Sequence, residues 1–302
     1  MIKQVAQKRV GIIRGGTGEN YENSLKNGGD IIAYLNEHLE NKYKPVDVLI
    51  DKDGVWHMNG LPIIPADLKH KVNVAWNTAH SGLGADLDNL SIPHVGQSSF
   101  SRALASSKDM LREHMKKLGV KMPRTLLIPV YQPDFDGPRE RFSIKKAKEV
   151  HEKFHAPWIV KSLNPDKTMG IHVAKTFPEL VNSIEDGLNH NQSMIVEEFV
   201  DGIATSVHSV PEFRGESIYI FPPKNLAGEK KEKLMSLVKD LHHHLGVKHY
   251  LKSDFIMHPK FGVYLTGISF TPDLKPGSHF HDSCESVGCK MHHVVEHMLE
   301  NI

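Results

Sequence analysis

Cysteine is nearly absent: Cys284 and Cys289 are the only two in 302 residues, too few for a disulfide framework. No stretch is long and apolar enough to span a bilayer, and Met1 to Arg9 holds no apolar run of signal-peptide length. Neither sign of charge dominates. Lys and Arg number 37 against 36 Asp and Glu, which argues against nucleic acid or a membrane held by bulk charge. Internal repeats are lacking, and the one low-complexity tract is His242-His243-His244, expected on the solvated face of a helix. These absences leave a cytoplasmic protein as the expectation. The length, with 39% hydrophobic and 24% charged residues, suits two or three packed domains.

Strands and helices alternate at first. Arg9 to Ile13, Val46 to Ile50 and Val72 to Trp76 are short apolar runs, and Leu25, Ile31, Ile32, Leu35 and Leu39 recur near helical spacing. A parallel, doubly wound first domain follows, ending near Pro93-His94-Val95-Gly96. The pattern then predicts one helix over 99–117, a strand over 124–130, a loop over 132–141 and a helix capped by Ser143. Further strands are expected at 158–163 and 171–175. The runs at 194–200, 205–210, 217–221, 251–257 and 263–270 read as one antiparallel sheet, interrupted by an amphipathic helix over 230–245. A last helix ends the chain.

Several segments carry chemistry. Lys161 closes the apolar run Pro157-Trp158-Ile159-Val160-Lys161, where a buried ammonium is costly without an anionic partner. Val196-Glu197-Glu198-Phe199-Val200 follows, then Lys252-Ser253-Asp254-Phe255 and Gly262-Val263-Tyr264-Leu265-Thr266-Gly267-Ile268-Ser269. Gly15-Gly16-Thr17-Gly18-Glu19-Asn20 is a glycine-rich turn, and Ala79-His80-Ser81-Gly82-Leu83-Gly84-Ala85-Asp86 is a second glycine-containing segment. His279, His281, Asp282, Cys284, Cys289, His292 and His293 crowd the last quarter. A four-coordinate zinc set of His281, Cys284, Cys289 and His292 is one reading, and ordinary polar histidines are the other.

Over nearly its whole length the chain resembles D-alanine–D-alanine ligases of the ATP-grasp group. The resemblance implies an α/β chain: a parallel-sheet N-terminal substrate domain (1–97), then a two-lobed α+β ATP-grasp module (98–190 and 191–302). It implies an ATP-dependent carboxylate–amine ligase of peptidoglycan biosynthesis, acting through an acyl phosphate on D-amino-acid substrates, with a homodimer through the first domain. The alternative is a catalytically impaired relative that binds nucleotide or serves as a scaffold. On this resemblance Lys108 and Lys161 face the phosphates, Glu197, Glu198 and Val200 form the adenine hinge, and Lys167, Thr168 and Gly170 lie in the phosphate-covering loop. Lys167 there either caps the phosphate or is an ordinary exposed loop lysine. Gly16, Glu19 and Asn20 serve the first substrate, Ser278 the terminal carboxylate, and Lys252, His80 and Thr168 are the catalytic residues. Ser278 in its Pro-Gly-Ser turn also needs no function to explain it.

The pattern is broken in places. Asp254 matches the first Mg²⁺ carboxylate, but the second and third ligands fall on Gly267 and Ser269. Lys252 replaces the arginine that would hold the oxyanion, Ala85 and Ala204 replace carboxylates, and Ser107 replaces an aspartate. Asp273, Asp282 and Glu285 are candidate substitutes for the missing metal ligands. The helix after His80 is cut short by Pro93, and Phe221-Pro222-Pro223-Lys224 runs almost straight into the next helix without a lid.

Overall fold

The computed structural model describes residues 7–18, 20–80, 82–96, 99–163 and 169–302. Two compact units emerge: Met1–Gly119 with Ala204–Phe255 and Gly267–Ile302, and Val120–Ile203 with Ile256–Thr266. Among the described residues no helix is long and apolar enough to cross a membrane.

The first unit opens with β1 (Lys8–Gly15), α1 (Tyr21–His38) and β2 (Tyr43–Ile50), then the hairpin strands β3 (Trp56–Met58) and β4 (Leu61–Ile63). After β5 (Val74–Asn77) come α2 (Leu83–Asn89), β6 (His94–Val95), α3 (Ser99–Ser106) and α4 (Lys108–Lys117). The sheet order is β4-β3-β2-β1-β5-β6. Strands β2, β1, β5 and β6 are parallel, as the alternation predicts. The antiparallel hairpin was not expected, because its strands span three residues each. Alternate residues of β1 serve opposite faces. Val10 and Ile12 pack with Ile31 and Leu35 of α1, whereas Ile13 packs with Leu68, Leu83 and Leu87. The expected helix over 99–117 breaks at Ser107, whose hydroxyl caps α4 by accepting from Met110 N.

The second unit contains β7 (Thr125–Ile128), α5 (Pro133–Asp136), α6 (Arg139–Lys153), β8 (Trp158–Ser162), β9 (His172–Ala174), α7 (Phe177–Asn189) and β10 (Met194–Glu198). Its sheet runs β7-β10-β8-β9 with antiparallel pairs. The run beginning at Met194 therefore pairs with β7 and β8, not with the later strands as expected. A short apolar run states that a strand is central but not in which sheet. Helix α6 starts at Arg139, four residues ahead of Ser143, whose hydroxyl donates to Glu185 Oε1 at 2.6 Å instead of capping.

The chain then forms β11 (Ile203–Pro211), β12 (Ile218–Phe221), α8 (Gly228–His244), β13 (Leu251–His258), β14 (Gly262–Ser269), α9 (His279–Glu285) and α10 (Met291–Glu300). These four strands are ordered β12-β11-β13-β14. Only a short turn separates β12 from α8, in line with the missing lid.

Two histidines are buried here. His208 on β11 contacts Tyr250 Oη through Nδ1 at 2.6 Å and His279 Nδ1 through Nε2 at 2.7 Å. His242 lies inside α8, not on its solvated face, bonded to Ser209 Oγ at 2.8 Å and to the Val247 carbonyl at 3.1 Å. Burial pushes His208 down to about 3 and His242 down to about 4. Both imidazoles are neutral when folded but protonate near pH 6.5 once unfolded. The unfolded chain therefore binds more protons below pH 6.5, and stability falls as pH drops from there toward 4. Between pH 7.5 and 5 each should cost about 2 kcal/mol. Urea unfolding at the two pH values checks this. His208→Gln and His242→Gln should each flatten the dependence, and a pH-independent midpoint for the wild type contradicts it.

Candidate functional site

The first unit holds a cavity of about 820 Å³ whose wall comes mainly from three separate segments, joined by Gly96 after β6. Gly15, Asn20 and Tyr21 belong to the glycine-rich turn and the start of α1, Asn77 and His80 to the end of β5, and Ser269 and Asp273 to the end of β14. A hydrogen-bond chain fixes the first two segments together. Gly15 N donates to Ser24 Oγ at 2.9 Å, Ser24 Oγ lies 3.3 Å from Thr78 Oγ1, and Thr78 Oγ1 donates to the Ile13 carbonyl at 3.0 Å. Asn77 Nδ2 donates to the His80 carbonyl at 2.9 Å, shaping the loop that carries His80. Gly16 stands beside it: a methyl group there would lie 3.7 Å from His80 Cδ2. Glu19 and Ser81 lie outside the described residues.

Gly15 is required by geometry. Its φ is +89°, and an added Cβ would meet the Ile50 carbonyl oxygen at 2.1 Å. Gly15→Ala should destabilise the protein by about 2 kcal/mol. A urea midpoint equal to wild type would show that the turn relaxes freely.

In the second unit Lys161, at the end of β8, places Nζ 2.8 Å from Glu197 Oε2. Its side chain is 33% exposed while that of Glu197 is 11% exposed. The anionic partner that a strand-end lysine needs is thus internal, and the side chain stays partly exposed. Glu198 is engaged by Arg124, which donates from Nε at 3.0 Å and from Nη2 at 2.7 Å. This fork holds the Glu198 carboxyl below its usual range. Sequence reading missed Arg124, since no local spacing links it to Glu198. Val200 is buried and Gly170 exposed. Lys167 and Thr168 lie outside the described residues. Lys108 is the first residue of α4 in the other unit.

The position assigned to Mg²⁺ does not fit a divalent ion. Asp254 Oδ1 lies 3.1 Å from Lys252 Nζ and accepts from Ser206 Oγ. Gly267 offers no ligand atom. Ser269 Oγ is turned into its own loop, donating to the Thr271 carbonyl and accepting from Thr271 N, both at 3.3 Å. Mg²⁺ needs near-octahedral oxygen ligands with one or two carboxylates, and here the one carboxylate is already matched by an ammonium. Among the described residues, only His281, Asp282 and Glu285 gather three acidic or metal-ligating side chains within 4.8 Å, so Asp254 belongs to no such group.

The crowd of C-terminal histidines and cysteines disperses. His281, Cys284, Cys289 and His292 do not converge as a set. His292 stacks near His38, with centroids 4.5 Å apart, and both cysteines are buried and free. The Cys289 thiol is held down by its hydrogen bond with Cys284. Ser278 caps α9 by accepting from His281 N at 3.1 Å, and it donates to the Asp273 carbonyl at 2.8 Å.

A sheet with a parallel core, followed by two antiparallel sheets, matches ligase structures of the ATP-grasp fold and is D-alanine–D-alanine ligase-like. VanG D-Ala:D-Ser ligase from Enterococcus faecalis superposes with a TM-score of 0.77 at 16% identity, covering 98% of this chain and 99% of that one. The D-alanine–D-alanine ligase of Bacillus anthracis complexed with ATP gives 0.70 at 17% identity over 97% and 96%. In sequence, the D-alanine–D-alanine ligase of Carboxydothermus hydrogenoformans is 22% identical, over 96% of this chain and 97% of that protein. That of Desulforamulus reducens is 23% identical over 97% of each. No protein-family profile matches the chain.

Proposed function

We propose that this protein is an ATP-dependent carboxylate–amine ligase acting on small amino-acid-like substrates, D-alanine among them, with domains at 1–97, 98–190 and 191–302. The observation that carries this reading is the 820 Å³ cavity, walled by the glycine-rich turn, the His80 loop and the segment after β14. Full-length likeness to proteins named as D-alanine–D-alanine ligases supports it. A carboxylate oxygen of the first substrate attacks the γ-phosphorus of ATP, the bond to the β-phosphate oxygen breaks, and ADP leaves. The amine nitrogen of the second substrate then attacks the acyl carbon, and phosphate departs with one of the original carboxylate oxygens. Lys108, Lys161, Glu197, Glu198, Val200, Lys167 and Gly170 hold the nucleotide, while His80 and Thr168 act with Lys252 in catalysis. Gly16, Glu19, Asn20 and Ser278 hold substrate. Lys252 offers its ammonium to the oxyanion formed during acyl transfer.

The test is isotopic. A first substrate labelled with ¹⁸O in its carboxylate should yield inorganic phosphate carrying one ¹⁸O per turnover. Unlabelled phosphate alongside product would exclude the acyl phosphate. A second reading, a nucleotide-binding protein without ligase activity, is favoured by the pairing of Asp254 with Lys252 and by the short connection before α8. Under that reading neither ADP nor labelled phosphate forms.

A further inference from the structure

We infer that the place beside Asp254 is an ammonium site in this chain, with Lys252 supplying the positive charge for the nucleotide's phosphates, so that nucleotide binds without a protein-held divalent ion. The inference rests on the nucleotide reading proposed above. Lys252 and Asp254 lie two residues apart on β13, so their side chains project from the same face of the strand. They meet at 3.1 Å. Ser206 on β11 donates to the same carboxylate oxygen, Oδ1. Two donors therefore converge on the oxygen that a metal ion would also seek. On the other side, a Cβ added to Gly267 would find only Asp254 Oδ2 within 4 Å, at 3.8 Å. That space is open, but no ligand atom enters it from Gly267.

Charges of both signs lie nearby. His279 feels Lys252 and Lys224 on one side of the ledger and Asp254 and Asp282 on the other, and Lys224 Nζ lies 3.9 Å from Asp282 Oδ2. A dication arriving here must approach an ammonium that already occupies its carboxylate. A polyphosphate meets the reverse situation. Lysine is a compact point charge with three rotatable donors, able to serve a carboxylate and a phosphate oxygen together. Nearly two-thirds of the Lys252 side chain is buried, with 33% exposed, so it is positioned by its neighbours and still reachable.

The experiment is titration calorimetry of ATP into the intact protein, once with excess Mg²⁺ and once with EDTA. The two affinities should agree within about threefold. Lys252→Met should lose roughly tenfold or more in EDTA, the scale of one charge-assisted contact, and Lys252→Arg should recover most of that loss. Asp254→Asn should bind ATP in EDTA at least as tightly as the wild type, since it frees the ammonium. Binding that requires Mg²⁺ and vanishes in Asp254→Asn would overturn the inference and leave the nucleotide reading standing. Absence of binding in both conditions would overturn both. The wild-type pair of titrations decides the matter even if a variant misfolds.

Discussion

On the proposed nucleotide role of Lys161, Lys161→Ala should lower ATP affinity by about a hundredfold, the scale of two charge-assisted contacts. The ammonium at the end of β8 is held by Glu197 at 2.8 Å, with a third of the side chain open to solvent, so it is fixed in place yet available to an anion. The same change has a structural cost. Glu197 is 8% exposed, and removing the cation it faces should destabilise the second unit by about 1–2 kcal/mol, less than for a fully buried pair. The two effects separate in the double variant Lys161→Ala/Glu197→Gln, which should regain the thermal midpoint and not the ATP affinity. Calorimetric titration of the folded variants is the check, and an unchanged dissociation constant for Lys161→Ala would remove Lys161 from the nucleotide site.

Gly267→Glu combined with Ser269→Asn adds one carboxylate and one amide oxygen beside the Lys252–Asp254 pair. A partner that merely supports a metal ligand is worth about 10–100-fold in affinity, and a direct ligand at least as much. The double variant should therefore bind Mn²⁺ at least about tenfold more tightly than the wild type in the presence of ATP, and Mg²⁺-dependent turnover should rise. The room exists, because an added Cβ at Gly267 meets no atom closer than 3.8 Å. Electron paramagnetic resonance of added Mn²⁺ reads the binding directly. Tighter Mn²⁺ binding with no gain in turnover would assign the deficit to the short connection before α8 and to Ala85 and Ala204.

Much of the fold was legible because hydrophobic periodicity is local. Ile31 and Leu35 follow helical spacing and do line α1's buried face, and Val10 to Ile13 do form a central strand. Partner choice was not legible. Nothing in Met194 to Glu198 says that it pairs with β7 and β8, since a run buried on both faces fits the middle of any sheet. The helical break at Ser107 was obscured because the apolar stripe continues across it. His242 sits in a run of three identical polar residues, and only the tertiary structure decides that it faces Ser209 while its neighbours do not. At the site, the glycine-rich turn and the His80 loop were readable as motifs, whereas the pairing of Lys161 with Glu197, of Arg124 with Glu198 and of Lys252 with Asp254 had to be seen. Lys161 and Glu197 meet across paired strands, so their contact depends on register, which local sequence encodes only weakly. Lys252 and Asp254 instead stand two apart on β13 and share a face that the sequence spacing allows.

The central claim is that this ATP-grasp fold still uses ATP to join a carboxylate to an amine. Its most direct test is ADP formation by the purified protein with ATP and D-alanine, in Mg²⁺ and in EDTA, beside Lys161→Ala. D-alanine-dependent ADP above that control, matched by a dipeptide in mass spectrometry, is the predicted result. ADP formation no greater than that of Lys161→Ala, with ATP still bound by the wild type, would contradict the ligase reading.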